Sequence, residues 1–390
     1  MYVTHLSLAD FRNYATLEVE LVPGANVFVG SNGQGKTNLV EALGYLSTLG
    51  SHRVSSDQAL IRQGTDAAVV RARIAHDERA ILAEVQINRS GANRAQVNRA
   101  AIRPRELPRY VATVLFAPED LALVRGEPSG RRRFLDELLV ARTPRLAGVL
   151  GDYDRALRQR NTLLKSARAT RVSEAQLSTL DVWDERLVAF GAEIVAARGA
   201  LVDELRPEVS AAYATIAGAE HDASLASYLS IRASRTPDDD EPSADGTVAA
   251  SLSAPDAAAE FAASLARSRR AELERGLTLT GPHRDDLVLT LNGLPARGYA
   301  SHGESWSFAL ALKLAAARLL RRESSLGDPV LVLDDVFAEL DASRRARLAA
   351  AVHDFEQVLI TAAVLDDVPE ELAGRVIRIR AGALESGVGA

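Results

Sequence analysis

The sequence predicts an α/β fold in which both ends of the chain build one head and a mainly helical arm is inserted between them. Three observations support it: strand patterns at both ends, helical patterns rich in Ala, Leu, Arg and Glu in the middle, and a glycine-rich loop between a strand and a helix. A length of 390 residues fits two domains. We expect the head to comprise residues 1–120 and 276–390, and the arm residues 121–275.

Strands at the amino-terminal end are predicted from the segments VTHLSLADF, ATLEVELV and ANVFVG, the second of which alternates apolar and polar residues. Residues 67–102 repeat the strand pattern with polar turns, which indicates an antiparallel meander. Between these regions Leu39, Leu43 and Leu46 follow the spacing of an amphipathic helix. Strand patterns return after Gly276 in LTLTGPHRDDLVLTLNG, VLVLDDV, QVLIT and RVIRIR, so we assign both ends to the head.

The arm is predicted as long helices from Leu121 onward, with interruptions near Pro144, Thr170 and Pro207. Residues 234–260 contain seven acidic residues and one arginine, together with proline and glycine. Such a composition lacks the apolar surface that an ordered core requires, so we expect a solvated, mobile loop there.

The composition excludes several classes of protein. Hydrophobic residues make up 47% of the chain and charged residues 25%, which is typical of a globular protein. No stretch approaches the roughly 20 apolar residues that span a bilayer, and the first residues lack the pattern of a secretory signal. The chain has no cysteine, which removes disulfides and thiol catalysis and fits a reducing compartment. We therefore expect a cytoplasmic protein that makes no membrane contact.

Residues 30–37 read GSNGQGKT and match the P-loop pattern GxxxxGK[ST] between a strand and a helix. Glycines allow backbone N–H groups to approach phosphates, and the following helix adds its positive end. Lys36 is expected to reach the β- and γ-phosphates of ATP, and Thr37 to bind Mg²⁺. The predicted phosphate-binding residues are Gly30, Ser31, Asn32, Gly33, Gln34, Gly35, Lys36 and Thr37.

A P-loop ATPase also needs carboxylates on a neighbouring strand, and the segment LVLDDVFAELD supplies two of them after an apolar run. Asp334 fits the residue that positions Mg²⁺, and Asp335 fits one that polarises the attacking water. An N-cap followed by a solvated turn residue is the structural alternative for this pair.

Most of the sequence lies between Lys36 and Asp334. Compact P-loop proteins keep these two motifs closer together, whereas ATP-binding-cassette (ABC) heads tolerate large insertions between them. Ser301 and Gly303 lie in the segment SHGES at the start of a predicted helix, and such an element can bind the γ-phosphate of a nucleotide held by a second subunit. An ordinary helix N-cap explains Ser301 equally well.

The order of these motifs resembles that of the RecF recombination mediator family, a branch of the SMC-like ABC ATPases. The resemblance is carried by LSLADFRNY, VFVGSNGQGKTNLVEALGYLS, GSHR, VLFAPEDLALVRGEPSGRRRFLD, LTGPHRDDL, ASHGE and LVLDDVFAELD, which cover nearly the whole chain. It implies an ABC/SMC-like P-loop ATPase head that uses ATP and Mg²⁺, dimerises on ATP and hydrolyses it weakly, with stimulation by DNA. It further implies binding to single- and double-stranded DNA, preferentially gapped or at junctions. RecR, RecO and, indirectly, RecA are the implied partners in repair, replication restart and the SOS response.

The resemblance also implies roles for single residues. It makes residues 30–37 the phosphate cradle and Thr37 with Asp334 the Mg²⁺ ligands. Lys36, Asp334 and Asp335 are the implied catalytic residues.

At a subunit interface the resemblance implies contacts from Ser301 and Gly303 to the γ-phosphate of the opposite subunit, with Asp341 as an interface acid. Arg53 in GSHR is expected near the nucleotide. The sequence departs from the general cassette pattern, because APED stands where a glutamine would sense the metal, Glu304 replaces a polar amide, and LITA has no switch histidine. These departures predict slow turnover.

DNA contacts are expected on the arm. Residues 121–174 hold twelve Arg or Lys against six Asp or Glu, within a chain whose net charge is -6. Arg131, Arg132 and Arg133 form the densest run and are predicted to contact DNA phosphates, although helix faces paired with neighbouring acids are the alternative. No base-reading motif is recognisable, so shape and charge are expected to dominate.

A second hypothesis is that the chain is the nucleotide-binding subunit of another ABC-type assembly, such as a transporter whose membrane helices lie on another chain. The basic arm and the lack of a full LSGGQ signature argue against it. Co-purification with an integral membrane protein would favour the transporter hypothesis, whereas salt-sensitive DNA binding that strengthens with ATP would favour the mediator.

Overall fold

The chain folds into two compact units, which we call the head and the arm. The head contains Met1–Val124, Ala211–His221 and Ser301–Ala390, and the arm contains Arg125–Ser210 and Asp222–Ala300. The computed structural model describes residues 1–76, 79–170, 178–218, 221–233, 246–248, 250–324 and 327–385.

The first part of the chain forms strands β1 (Tyr2–Phe11), β2 (Tyr14–Glu20) and β3 (Gly24–Val29), helix α1 (Lys36–Thr48), and strands β4 (Ala67–His76), β5 (Arg79–Asn88), β6 (Arg94–Val97), β7 (Ala100–Ile102) and β8 (Thr113–Phe116). The middle part forms helices α2 (Leu121–Arg125), α3 (Pro128–Arg142), α4 (Leu146–Thr170) and α5 (Ser178–Ala217), strands β9 (Ala223–Tyr228) and β10 (Thr247–Val248), helix α6 (Ala254–Arg275), strands β11 (Asp286–Leu291) and β12 (Leu294–Pro295), and helix α7 (Ala296–Tyr299). The last part forms helix α8 (His302–Glu323), strand β13 (Val330–Asp334), helix α9 (Ala342–Val352), and strands β14 (Gln357–Ala362), β15 (Arg375–Arg380) and β16 (Ala383–Leu384).

The boundaries of the two units differ from the predicted ones. Residues 276–300 belong to the arm rather than to the head, because β11 pairs with β9 of the arm. The segment Ala211–His221, which includes the end of α5, belongs to the head. The sequence pattern identified these strands and helices, but a strand pattern alone does not say which sheet a strand joins.

The predicted acidic loop at 234–260 is only partly described, because residues 234–245 and 249 lie outside the described residues. Its last part differs from the prediction, since α6 begins at Ala254. Ser253 caps this helix by accepting a hydrogen bond from the backbone N–H of Asp256, and Pro255 occupies the first turn, where proline is tolerated. These local signals outweigh the acidic composition.

Two sheets form the framework of the head. Antiparallel strands follow the order β2-β1-β4-β5-β6-β7, in which β4 to β7 are the meander predicted from residues 67–102. The second sheet has the order β16-β15-β3-β14-β13-β8, with β16 antiparallel and the other strands parallel. Every residue of β13 and β14 is buried, as expected for central parallel strands.

Helix α1 packs between these two sheets. Leu39, Leu43 and Leu46 are fully buried and share one hydrophobic core with residues of both sheets, such as Val70 and Val332. The predicted apolar stripe is therefore confirmed. Since β3, β14 and β13 run parallel, the loop after β3 and the end of β13 lie at the same edge of the sheet.

The arm is organised around a buried arginine. Arg160 on α4 is 0% exposed, and its guanidinium donates to Asp184 Oδ1 on α5 at 2.6 Å and to Glu272 Oε2 on α6 at 2.7 Å. A buried charge of this kind requires full pairing, and here the pairing joins three helices. Strands of the arm form a separate antiparallel sheet in the order β10-β9-β11-β12.

The helix interruptions agree with the predictions in part. Pro144 lies between α3 and α4, and α4 extends to Thr170. Helix α5 continues through Pro207, contrary to the prediction; the burial of Leu205 and Val209 on either side offsets the lost backbone hydrogen bond. Among the helices of the described chain, none is both long and apolar enough to cross a bilayer.

Candidate functional site

The loop of residues 30–37 joins β3 to α1, in the strand, loop and helix order that the sequence predicts. Gly33 and Gly35 have φ values of 80° and 110°, which side-chain-bearing residues rarely adopt. Lys36 begins α1 and is 3% exposed. Its ammonium group donates a hydrogen bond to the carbonyl oxygen of Gly30 at 2.8 Å, so the side chain folds back over the loop.

Gly35 requires the absence of a side chain. A Cβ atom built on Gly35 would lie 2.7 Å from Asn13 Nδ2 and 2.7 Å from the hydroxyl oxygen of Tyr14. The Tyr14 hydroxyl donates to the carbonyl oxygen of Gly35 at 3.0 Å, and burial raises the pKa of Tyr14 to about 12, so the group remains a donor. The shape of the loop therefore depends on the hairpin of β1 and β2.

The middle of the loop presents polar groups outward. Ser31 and Asn32 are exposed. Gln34 holds the loop against the turn after β15, because its carbonyl oxygen accepts a hydrogen bond from the N–H of Gly382 at 3.1 Å and its Oε1 accepts one from the N–H of Ala381 at 2.5 Å. The loop is thus held in place at Gln34, whereas Ser31 and Asn32 are accessible to solvent.

Asp334 lies at the end of β13, beside the first turn of α1. Its Oδ1 accepts hydrogen bonds from Thr37 Oγ1 at 3.1 Å and from Thr361 Oγ1 at 2.6 Å. Burial, to which the neighbouring charge of Asp335 adds, raises the pKa of Asp334 to about 6. A cation would favour the ionised carboxylate, and a hydroxyl and a carboxylate are oxygen ligands that Mg²⁺ accepts. The pair of Thr37 and Asp334 therefore fits a magnesium ion.

Asp335 follows directly and is half-buried. It has a φ of 52°, and its backbone N–H donates to Thr361 Oγ1 at 2.9 Å. It stands before the 3-10 turn Val336–Glu339, but its side chain makes no capping hydrogen bond to that turn. The simple capping explanation therefore does not account for this carboxylate.

Thr361 is a site residue that sequence reasoning missed. It is the penultimate residue of β14 and binds Asp334 and the backbone of Asp335 through one hydroxyl. A signal was present, since a threonine near the carboxyl end of an otherwise apolar strand stands at the edge where the other motifs converge.

Glu41 is a second missed residue, on the buried face of α1. Its carboxylate accepts hydrogen bonds from Arg12 Nη2 at 2.7 Å and Ser51 Oγ at 2.5 Å, and Arg53 Nη1 lies 3.8 Å away. Arg53 also donates to Asn38 Oδ1 at 2.9 Å. The segment GSHR is therefore fastened to the helix that follows the P-loop, and an acidic residue within an apolar stripe was the signal.

Ser301 is the N-cap of α8. Its Oγ accepts from the N–H of Glu304 at 3.3 Å, and Glu304 Oε2 accepts from the N–H of Ser301 at 2.7 Å. The capping alternative is therefore correct for this residue, and a hydrogen bond from the Ser301 side chain to the Glu304 carboxylate lowers the pKa of Glu304. Ser301 is exposed, so its side chain is accessible from solvent at this end of α8.

Gly303 and Asp341 lie close to one another on the head. A Cβ atom built on Gly303 would lie 2.8 Å from Arg344 Nη1, and the same nitrogen donates to Asp341 Oδ2 at 2.8 Å. Asp341 also caps α9 by accepting from the N–H of Arg344 at 2.9 Å. The structure therefore brings together two elements that were predicted at a subunit interface.

The predicted run of DNA-binding arginines on α3 has three different environments. Arg131 is 4% exposed and donates two hydrogen bonds to Asp286, at 2.7 and 2.8 Å. Arg132 is half-buried, and Arg133 is exposed and paired with Glu137 at 2.6 Å. Arg131 therefore stabilises the arm rather than presenting its charge to a ligand.

Together the fold and the site define a class of protein, an ABC/SMC-like P-loop ATPase head with an inserted arm. Residues 2–380 match a family model described as RecF/RecN/SMC N terminal domain. The chain is 67% identical over 388 residues to a DNA replication and repair protein RecF of Clavibacter sepedonicus, which covers 98% of this chain and 95% of the relative. It is 65% identical over 385 residues to the RecF of Leifsonia xyli subsp. xyli, covering 98% and 99%. The chain belongs to the RecF branch of the SMC-like ABC ATPase family.

Solved structures agree with this assignment. Two structures described as the recombination mediator protein RecF in the RecFOR pathway, one with ATP and one with ATPrS, match with TM-scores of 0.84 and 0.85 at 27% identity, and each covers 98% of this chain. Those matches span 98% and 97% of the two RecF chains. An SMC head of Pyrococcus furiosus matches with a TM-score of 0.52 at 16% identity over 98% of this chain and 95% of its own, which shows a shared fold. The predicted fold class is confirmed.

Proposed function

We propose that this chain is an ATP-dependent, DNA-binding recombination mediator of the cytoplasm. It dimerises on ATP, binds gapped or junction DNA, and helps to load RecA in DNA repair, replication restart and the SOS response. The observation that carries the proposal is the convergence of a P-loop, the Thr37 and Asp334 pair and a separate arm in a chain similar to RecF proteins along almost its whole length. RecR and RecO are the proposed partners, because the similar RecF structures are described as parts of the RecFOR pathway.

ATP is proposed to bind with its phosphates against residues 30–37. The Lys36 ammonium, which donates to a carbonyl oxygen of the loop, is within reach of phosphate oxygens that would replace this acceptor. Mg²⁺ held by Thr37 and Asp334 would neutralise charge on the β- and γ-phosphates. Asp335 is proposed to polarise the attacking water, since it adjoins Asp334 and its side chain serves no cap.

Hydrolysis is proposed to be weak and stimulated by DNA. The segment APED replaces a metal-sensing glutamine, and its Asp120 is committed to an ion pair with Lys313 at 2.9 Å. Glu304 is committed to capping Ser301. The metal-sensing glutamine of the general cassette pattern is therefore absent, and Asp120 and Glu304 are held in contacts that stabilise the fold. This favours a nucleotide switch over a fast ATPase.

The switch is proposed to be a dimer in which two heads enclose two ATP molecules. Lys36 and Thr37 of one subunit would face Ser301 and Gly303 of the other. Support comes from the exposed, capped helix end at Ser301, where the positive end of α8 is available to a phosphate. Asp341, held beside Gly303 by Arg344, is the proposed interface acid.

The proposal is tested by DNA binding measured with a fluorescent gapped duplex, without nucleotide, with ADP and with ATP·Mg²⁺. We expect binding that weakens with salt and strengthens with ATP in the wild-type protein, and no gain with ATP in Lys36→Met. The nucleotide-free binding of Lys36→Met serves as the control for folding and should equal that of the wild type. Equal ATP enhancement in the two proteins would refute the coupling of nucleotide to DNA.

A further inference from the structure

Two cavities of the arm, of about 410 Å³ and about 480 Å³, share the lining residues Ser129, Arg132 and His283. The larger cavity is also lined by Asn161 and Arg284. Arg284 and His283 belong to the segment GPHRDD, which the proposed ATPase site does not use. A cavity lined by several hydrogen-bond donors raises the question of which ligand would accept from them.

Most charges around these cavities are neutralised within the arm. The pairs are Arg198 with Asp136, Arg133 with Glu137, Arg158 with Asp154 and Arg297 with Glu127. Arg132 and Arg284 differ from them, since no carboxylate of a described residue lies within ion-pair distance of either guanidinium. The carboxylates of Asp286, Asp285 and Asp136 act on the charge of Arg132 from beyond ion-pair distance, so neither arginine forms a direct ion pair with a described residue.

Arg132 is held in place at the wall of both cavities. Its Nη1 donates to the carbonyl oxygen of Asp285 at 2.8 Å. Burial, with the charge of nearby Arg198, lowers the pKa of Arg132, which means that its positive charge is poorly stabilised by its surroundings. The nearby carboxylate of Asp286 is engaged by Arg131. An anion in the cavity would compensate for this charge.

His283 is a structural member of the wall rather than a third cation. Burial lowers its pKa to about 3, so the ring is neutral near pH 7. Its Nε2 lies 3.4 Å from the carbonyl oxygen of Thr278 and its Nδ1 lies 2.7 Å from the hydroxyl of Tyr153. With a proton on Nε2, both ring nitrogens are satisfied.

Asn161 and Ser129 add donors to the larger cavity, whereas Glu127, which also lines it, is paired with Arg297. Asn161 Oδ1 accepts from the N–H of Thr278 at 2.8 Å and from its Oγ1 at 2.7 Å, which commits the amide oxygen and leaves the amide N–H groups as donors. Ser129 adds a hydroxyl that lines both cavities. Two guanidinium groups, an amide and a hydroxyl match the acceptor oxygens of a phosphate.

We propose that the larger cavity of the arm binds a phosphate group through Arg132, Arg284, Asn161 and Ser129. This inference rests on the proposed function and assigns the phosphate group to the backbone of the bound DNA. On α3 the contact with DNA then comes from Arg132 rather than from the whole arginine run. A free phosphate compound offers the same acceptor oxygens, and the second experiment described below distinguishes it from DNA.

The first experiment measures the affinity of the protein for the gapped duplex at a series of salt concentrations, with ATP present. Each of Arg132→Gln and Arg284→Gln should lower the slope of log affinity against log salt by about one, and the double variant by about two. Arg270→Gln is the matched control, because it removes one exposed arginine of the arm that lies outside both cavities and pairs with Glu274. Arg284 is exposed, so its variant keeps the test valid if Arg132→Gln folds poorly.

The second experiment measures thermal stabilisation by inorganic pyrophosphate in proteins that carry Lys36→Met, which disables the P-loop. If the wild-type protein does not bind DNA, the proposed function fails. In that case, stabilisation by pyrophosphate that disappears with Arg132→Gln and Arg284→Gln would support a free phosphate compound as the ligand. The phosphate site is overturned if the double variant keeps the salt slope of Arg270→Gln. It is equally overturned if DNA is not bound and pyrophosphate stabilises none of the proteins.

Discussion

Thr37 in the first turn of α1 donates a hydrogen bond to Asp334 at the end of β13, at 3.1 Å, although 297 residues separate them in sequence. Thr361 at the end of β14 donates to the same oxygen at 2.6 Å. The three residues meet because β3, β14 and β13 are parallel neighbours whose carboxyl ends share one edge. Since this carboxylate is the proposed metal ligand, the proposed nucleotide site requires a head assembled from both ends of the chain.

Replacement of Lys36 by methionine should weaken the binding of a fluorescent ATP analogue by about 10- to 100-fold, because a charge-assisted hydrogen bond contributes about 1.5–3 kcal/mol. Lys165→Met is the matched control, since Lys165 is exposed on α4 of the arm. Affinity is measured by fluorescence titration without DNA. Equal affinities of the two variants would contradict the assignment of residues 30–37 as the nucleotide cradle.

Gly35→Ala should destabilise the head by about 1–3 kcal/mol, because φ is 110° and the new Cβ would meet the Tyr14 hydroxyl. Gly44→Ala is the matched substitution within α1, the helix that follows the loop, where a Cβ meets nothing within 4 Å. It should instead stabilise by up to about 1 kcal/mol, since alanine favours helix. Urea unfolding of both variants measures the difference, and a loss of similar size at both positions would show that the loop geometry is not special.

Arg131→Gln should destabilise the arm by about 3–5 kcal/mol, because it leaves the buried carboxylate of Asp286 without its partner. Arg133→Gln removes the same charge from the adjacent position, where an exposed pair with Glu137 is worth about 0.5 kcal/mol or less. Chemical unfolding of both variants, monitored with a probe that reports on the arm helices, measures the two losses of stability. If Arg133→Gln were the more damaging change, the structural role given to Arg131 would be wrong.

The stability of the arm should depend on pH through His283. Burial lowers its folded pKa to about 3, whereas the unfolded value is near 6.5, so the unfolded state binds the extra proton between these values. Stability is therefore lost as pH falls below about 6.5, by about 2 kcal/mol at pH 5. Burial raises the pKa of Asp285 to about 6, which acts with the opposite sign. The difference between wild type and His283→Gln isolates the imidazole.

Unfolding of both proteins is measured at pH 7.5, 6 and 5. The wild-type protein should lose stability relative to His283→Gln as the pH is lowered. A difference that stays constant over this range would mean that the ring is already protonated in the folded arm or is not buried there.

Much of the head was predictable because its signals are local. The P-loop pattern, the apolar stripe with Leu39 and Leu43, and two acids after an apolar strand are each readable within a few residues. Thr361 and Tyr14 were missed because their contacts join distant segments. A spacing rule within one segment says nothing about such contacts.

The environment of Arg131 was predicted poorly for a physical reason. Its charge was interpreted as solvent-exposed, yet it falls on the same face of α3 as Leu135 and Leu138, four and seven residues later, and both are buried. Weighing periodicity above charge would have placed it inside. Its partner Asp286 lies 155 residues later in the sequence, so the pairing itself required the structure.

ATP is proposed to drive dimerisation through a contact of Ser301 with the γ-phosphate. The most direct test of this proposal is the mass of the protein by light scattering, without nucleotide, with ADP and with ATP·Mg²⁺, each with and without a gapped duplex. Ser301→Ala removes the hydroxyl proposed to reach the γ-phosphate, and also an N-cap. Ser253→Ala removes the N-cap of α6 in the arm and therefore controls for the loss of capping.

We predict a mass near 41.8 kDa without nucleotide or with ADP, and twice that value with ATP·Mg²⁺, more readily on DNA. Ser253→Ala should dimerise like the wild type, and Ser301→Ala should remain monomeric with ATP. A mass that ignores the nucleotide, or a Ser301→Ala protein that dimerises as readily as Ser253→Ala, would contradict this proposal.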